Sequence, residues 1–142
     1  MSVVIAFDFG LKRTGVAVGN TLTGSATPEC TLISKDNRPD WEGISALIQE
    51  WKPSRLVVGI PIELDENENP IKKRIERFCN QLQGLYNLKV DQENEQFTSI
   101  EAAARLKQLR QSGRKKKVTK DEVDKIAAAI ILESWMHKNA YS

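Results

Sequence analysis

From residue 3 to residue 10 the chain reads Val-Val-Ile-Ala-Phe-Asp-Phe-Gly, apolar except for one carboxylate. β-Branched and aromatic residues closed off by a glycine predict a buried strand. Side chains alternate along a strand, so Val4, Ala6 and Asp8 share one face while Val3, Ile5, Phe7 and Phe9 share the other. Residues 15–19 predict a second strand, hairpin-paired with the first through a tight loop that carries Lys12 and Arg13. Residues 24–34 have strand character interrupted by Pro28, which suits an edge strand, where a missing N–H donor is tolerated. Pro39 and Asp40 open a helix to about residue 52, with Trp41, Ile44, Leu47, Ile48 and Trp51 recurring at three and four residues.

The second half alternates. Residues 55–60 form a short apolar run, expected as a central parallel strand because a helix separates it from the first three. An acidic loop, 61–69, leads to a helix over 70–86 with Ile71, Ile75, Phe78, Cys79 and Leu82 on its apolar stripe. A strand at 88–91, an Ala-rich helix at 98–111, a basic loop at 112–117 and a closing helix at 121–138 complete the order β-β-β-α-β-α-β-α-α. That order predicts an α/β protein: a mixed five-stranded sheet with helices on both faces. No internal repeat or second domain is visible, so residues 1–142 read as one domain.

Composition changes this picture little. With 142 residues, 40% hydrophobic and 28% charged, the chain has the make-up of a globular protein with a substantial core. Its net charge of +2 means that attraction to nucleic acid has to come from local patches. Cys30 and Cys79 lack zinc-ligand or disulfide-framework spacing and fit a reducing compartment. The N-terminus has no secretory-signal pattern and no stretch approaches a membrane span, so the expected location is cytoplasmic, without membrane contact.

The candidate chemistry starts at Asp8. A carboxylate on a buried strand needs a cation, N–H donors or a raised pKa to offset its desolvation. Lys12 and Arg13 in the following loop place two cations near it, an arrangement that suits phosphate chemistry and is equally compatible with a solvated turn. Asp124 shares a stripe with Ala128, Ile131 and Trp135, at spacings of four, three and four, which turns it toward the core. The alanines at 127–129 allow that helix to approach the sheet closely. Asp91, Glu93 and Glu95 crowd one stretch, and Glu63 follows the fourth strand. The residues alone do not choose between Glu95 and Glu63. Thr98, with Glu101 three residues on, has the form of a helix N-cap. Arg114, Lys115, Lys116 and Lys117 form the densest basic run, readable as a solvated loop or as phosphate contacts immediately before the helix of Asp124. The aromatic residues fall mostly at core spacing, Trp41, Trp51 and Trp135 included, and offer no evident base-stacking platform. His137, the one histidine, is expected at the surface.

Three segments carry a family resemblance: Ala6-Phe-Asp-Phe-Gly-Leu-Lys-Arg-Thr-Gly-Val-Ala17, then Val57-Val-Gly-Ile-Pro61, then Val123-Asp-Lys-Ile-Ala-Ala-Ala-Ile-Ile-Leu-Glu-Ser134. In this order, over residues 3–138, they resemble the YqgF family, whose members are described as Holliday junction resolvases and as nucleases that trim the 5′ end of the small-subunit ribosomal RNA precursor. The resemblance implies a ribonuclease H-like fold and a phosphodiesterase dependent on Mg²⁺ or Mn²⁺, with Asp8, Glu95 and Asp124 as its three acids. Hard divalent cations take oxygen ligands, and two of them can clamp a phosphodiester between attacking and leaving oxygens. One departure stands out. Where the family's third motif usually reads Asp-Glu-Arg before a hydrophobic and two hydroxyl residues, this chain has Asn94-Glu95-Gln96-Phe97-Thr98-Ser99. One negative and one positive charge are absent together, and Asn94, Gln96 and Thr98 become candidates for orienting Glu95.

The expectation is therefore a metal-dependent endonuclease acting on structured RNA in ribosomal RNA maturation, with ribosomal precursor particles as a candidate partner. Lys12, Arg13 and residues 114–117 would bind the nucleic acid. Resolution of branched DNA is the alternative within the same chemistry. A non-catalytic nucleic-acid-binding protein is a second rival. A sugar-kinase or actin-like ATPase is a third, and one such lobe is too small for it. Junction resolution needs a dimer with paired sites and end trimming needs one site, so both a monomer and a weak homodimer are compatible with the sequence.

Overall fold

A computed structural model describes residues 2–36, 38–60, 70–94 and 120–139. In chain order it contains β1 (Val3–Asp8), β2 (Arg13–Asn20), β3 (Ser25–Ile33), α1 (Trp41–Trp51), β4 (Arg55–Ile60), α2 (Pro70–Tyr86), β5 (Lys89–Asn94) and α3 (Lys120–Asn139). The expected helix at 98–111 and the loops at 61–69 and 112–117 lie outside the described residues.

The five strands form one sheet in the order β3-β2-β1-β4-β5. β1, β2 and β3 pair antiparallel through short turns, whereas β4 runs parallel to β1 and β5 parallel to β4. The parallel pairs follow from the intervening helix, since a strand that is to lie parallel to an earlier one needs a crossover to return the chain to the same end. Pro28 sits on the edge strand, as its missing N–H requires. There the register slips: Val16 pairs with Cys30 and Ala17 with Pro28, which leaves Glu29 as the extra residue of a bulge.

The alternation along β1 sorts the core into two layers. Ile5, Phe7, Val16, Val18, Leu56 and Val58 face α1 and α2, meeting Ile44, Ile75, Phe78 and Leu82. Val4, Ala6, Ala17 and Val57 face α3, meeting Ala128, Ile131, Leu132 and Trp135. Helices thus cover both faces. Among the described residues no helix is long and apolar enough to cross a membrane.

α1 begins where Asp40 Oδ1 accepts from the Gly43 N–H at 3.1 Å. It ends at Lys52, whose φ of 47° lets its N–H reach the Ile48 carbonyl before Pro53. Trp41 packs against the core, but Trp51, expected inside from its spacing, is 36% exposed. It is the last residue of the helix, and the chain turns away toward β4 immediately after it.

α3 lies close to β2 because small residues face each other across the contact. Ala127, Ala128 and Ala129 are buried on the helix. On the strand, a Cβ built at Gly15 would overlap the Asp124 carbonyl, and one at Gly19 would come 2.7 Å from Leu132 Cδ2. Helix backbone rests directly on strand backbone, an approach that any side chain at residue 15 would block.

Candidate active site

Because β1, β4 and β5 are parallel, their last residues, Asp8, Ile60 and Asn94, lie at one end of the sheet. Asp8, only partly exposed, closes β1 on the face shared with Val4 and Ala6, the face covered by α3. Its partner across the ladder is Gly15, and opposed residues in an antiparallel pair stand about 4.5–5.5 Å apart between Cα atoms. The backbone of Asp124 occupies the space above Gly15. The two carboxylates therefore belong to one corner of the molecule, one at the end of β1 and the other in the opening turns of α3. The sequence places them 116 positions apart; the hairpin register and a missing side chain bring them together.

Arg13 completes this corner. Its Nε donates to Asp124 Oδ2 at 2.7 Å, with the two side chains 30% and 24% exposed. Arg13 is the first residue of β2 rather than part of the hairpin loop, and the structure commits one of its donors to Asp124. Lys12, one residue earlier, is exposed at the loop. The two cations that looked equivalent in the sequence thus stand in different environments. Arg13 offsets the charge of a half-buried acid and fixes its orientation, a task for which a planar, permanently charged guanidinium is well suited.

The acids of β5 divide differently. Asp91 Oδ2 accepts from Arg55 Nη1 at 2.9 Å and from Trp135 Nε1 at 2.9 Å. Glu93, 5% exposed, accepts from Ser134 Oγ at 2.8 Å through Oε2, and the same oxygen lies 2.7 Å from Lys138 Nζ. Arg55 also lies over the Trp135 ring, 5.7 Å from its centroid. These two carboxylates tie the C-terminal half of α3 to the sheet, a role that sequence reasoning did not assign. The available signal was the burial period: Asp91 and Glu93 alternate with Gln92 on the face that α3 covers.

Asn94 closes β5. Glu95, Gln96, Thr98, Glu63 and the run Arg114, Lys115, Lys116 and Lys117 lie outside the described residues. Among the described residues no cluster of three or more His, Cys, Asp or Glu side chains could hold a metal ion. The Asp8–Asp124 corner nevertheless has the donor chemistry for one. Both groups offer hard oxygen atoms, and Mg²⁺ is commonly held by one or two carboxylates with substrate phosphate and water completing its shell. Neither cysteine lies in the corner, and burial pushes the Cys30 and Cys79 thiols above their ordinary pKa.

Comparison with known proteins extends this geometry. The model of the RuvX family, described as Holliday junction resolvase, matches residues 2–138. A protein of Hydrogenovibrio crunogenus named "Putative pre-16S rRNA nuclease" is 47% identical over 134 residues, covering 94% of this chain and 92% of that protein. A protein of the same name from Actinobacillus pleuropneumoniae is 41% identical over 132 residues, covering 93% and 94%. Among solved structures, T. thermophilus RuvC in complex with a Holliday junction substrate matches with a TM-score of 0.56 and 15% identity, over 97% of this chain and 95% of that one. The fowlpox virus Holliday junction resolvase matches with a TM-score of 0.57 and 18% identity, over 96% and 99%. At such identities the likeness concerns the fold alone, which is ribonuclease H-like.

Proposed function

The chain belongs to the RuvX family, and on that premise we propose that it is a metal-dependent phosphodiester endonuclease that processes the 5′ end of pre-16S ribosomal RNA. The observation that carries the proposal is the juxtaposition of Asp8 and Asp124 across Gly15. Relatives 38–47% identical over nearly the whole chain bear the name of a pre-16S rRNA nuclease, which favours RNA as the substrate.

In this reading Asp8 and Asp124 supply carboxylate oxygens to Mg²⁺ or Mn²⁺, and Glu95, next in sequence after the end of β5, supplies the third acid. A divalent ion held by these carboxylates would supply Lewis-acid chemistry, activation of water and stabilisation of the leaving oxygen. The residues of the chain do the rest. Asp8 is held by the ladder at a strand end, where its backbone cannot drift. Asp124 is oriented by Arg13, whose Nε donates to its Oδ2. Lys12, exposed beside it, adds a contact to the phosphate backbone that carries no sequence preference. Asn94 and Gln96 flank Glu95 and can hold its carboxylate by hydrogen bonds, without the charges that Asp and Arg would bring. Arg114, Lys115, Lys116 and Lys117 contact further phosphates.

The description of the family favours a second reading, cleavage of branched DNA. It requires two coordinated incisions and hence a dimer, whereas RNA end processing works with a monomer. A side-by-side assay on a precursor ribosomal RNA fragment and a four-way DNA junction, with Mg²⁺ or Mn²⁺, separates the two. Preferential metal-dependent cleavage of the RNA supports the proposal. Preferential cleavage of the junction transfers the activity to DNA, and cleavage of neither leaves a nucleic-acid-binding protein without catalysis.

A further inference from the structure

Behind Asp8, on the opposite face of the sheet, is an open pocket of about 650 Å³, within the range of ligand sites. Its aromatic wall starts at Phe9, the residue directly after Asp8. Phe9 and Trp41 are half-buried and meet at Phe78, which is 1% exposed, with ring centroids 4.9 and 5.6 Å from it. The rim is cationic. Arg74 and Arg77 lie three residues apart on α2 and so on one side of it. Arg38 comes from the turn before α1, where reciprocal backbone hydrogen bonds with Lys35, of 3.0 and 2.9 Å, pin its position. Among the described residues that line the pocket, one carboxylate, Asp36, stands with these three guanidinium groups.

We propose that this pocket holds an unpaired nucleotide of the substrate strand, its phosphate on Arg38, Arg74 and Arg77 and its base against Phe9 and Trp41. The inference rests on the nuclease reading, and it names a substrate subsite that the acidic corner does not contain. Its position favours it: a strand drawn over the end of β1 toward Asp8 passes Phe9, whose Cα is about 3.8 Å from that of Asp8. Its chemistry favours a nucleotide over a simple anion. Guanidinium forks match phosphate oxygens, and partly exposed rings beside them suit the faces of bases. The aromatic residues, which by spacing alone belong to the core, here form a core that opens at one end.

The test is binding of a labelled ten-nucleotide single-stranded RNA to the full chain in EDTA, which reads affinity without cleavage. Arg74 and Arg77 are exposed, so Arg74→Gln with Arg77→Gln leaves the core intact. This pair should weaken binding about tenfold, and the slope of log affinity against log salt should flatten by about 0.7 for each phosphate deprived of its cation. Lys73→Gln with Lys89→Gln removes the same charge away from the pocket and should change affinity less than about twofold. RNA should also quench tryptophan fluorescence in the wild type, and Trp41→Phe should lose that quenching while keeping its affinity. Equal weakening by the two charge pairs, unchanged affinity in the arginine pair, quenching that persists in Trp41→Phe, or no binding by the wild type would each overturn the pocket. Cleavage by the wild type in Mg²⁺, measured separately, judges the nuclease reading and is independent of these outcomes.

Discussion

The backbone of Asp124 fills the space that a side chain at Gly15 would need. This contact makes a glycine inside a strand, normally a weak residue there, the point on which the acidic corner is assembled. Gly15→Ala should overpack the contact and cost about 1–3 kcal/mol, and Gly15→Val should cost more. Thermal unfolding reads the effect directly. A Gly15→Ala protein that melts at the wild-type temperature would mean that α3 does not rest on β2 in this way.

If Asp124 holds a metal ion as proposed, Arg13, which donates to Asp124 Oδ2, would compete with the ion for that oxygen. Arg13→Gln should therefore tighten Mg²⁺ binding, measured by calorimetry, roughly fivefold, equivalent to about 1 kcal/mol for a partly exposed ion pair. It should at the same time weaken RNA binding. Looser Mg²⁺ binding in the variant would show that Arg13 supports the metal site rather than opposing it.

Thr14 is 2% exposed, and its Oγ1 has no hydrogen-bond partner among the described residues. It sits on the α1 and α2 side of β2, among apolar neighbours. A buried hydroxyl without a partner costs about 1–3 kcal/mol, so Thr14→Val, with the same shape, should stabilise the protein by about 1 kcal/mol in denaturant titration. Destabilisation would reveal a partner for that hydroxyl.

Burial raises the pKa of the Cys79 thiol above its ordinary value of 9.0. The unfolded chain loses this proton at lower pH than the folded one, so the contribution is whole below pH 9.0 and is lost as the pH rises through the folded-state value. Unfolding free energies measured across that window should fall with pH less steeply in Cys79→Ala than in the wild type. Equal slopes would place the thiol in a water-like setting.

What was legible in the sequence was what local periodicity encodes. The alternation in β1 put Asp8 with Val4 and Ala6, the edge position of Pro28 followed from its missing N–H, and the stripe of Ala128, Ile131 and Trp135 set the buried face of α3. All three hold in the structure. What was not legible depends on how distant elements cross. Arg13 has the look of a loop cation until the path of α3 gives it Asp124. Asp91 and Glu93 look interchangeable with Glu95 until Trp135, Ser134 and Lys138 reach them. Trp51 has the right period and the wrong place, at the end of its helix. The aromatic residues give no hint of a pocket, because spacing reports which face a ring occupies and not whether that face is fully covered.

The central claim is that Asp8 and Asp124 form one catalytic corner. The most direct measurement is Mg²⁺-dependent cleavage of a pre-16S rRNA fragment by the wild type, Asp8→Asn and Asp124→Asn, with thermal unfolding of each protein alongside. The account predicts that either substitution lowers the cleavage rate by more than about a hundredfold, beyond the range for groups that only orient a metal ligand, while all three proteins remain folded. Near-wild-type cleavage by either folded variant would contradict it.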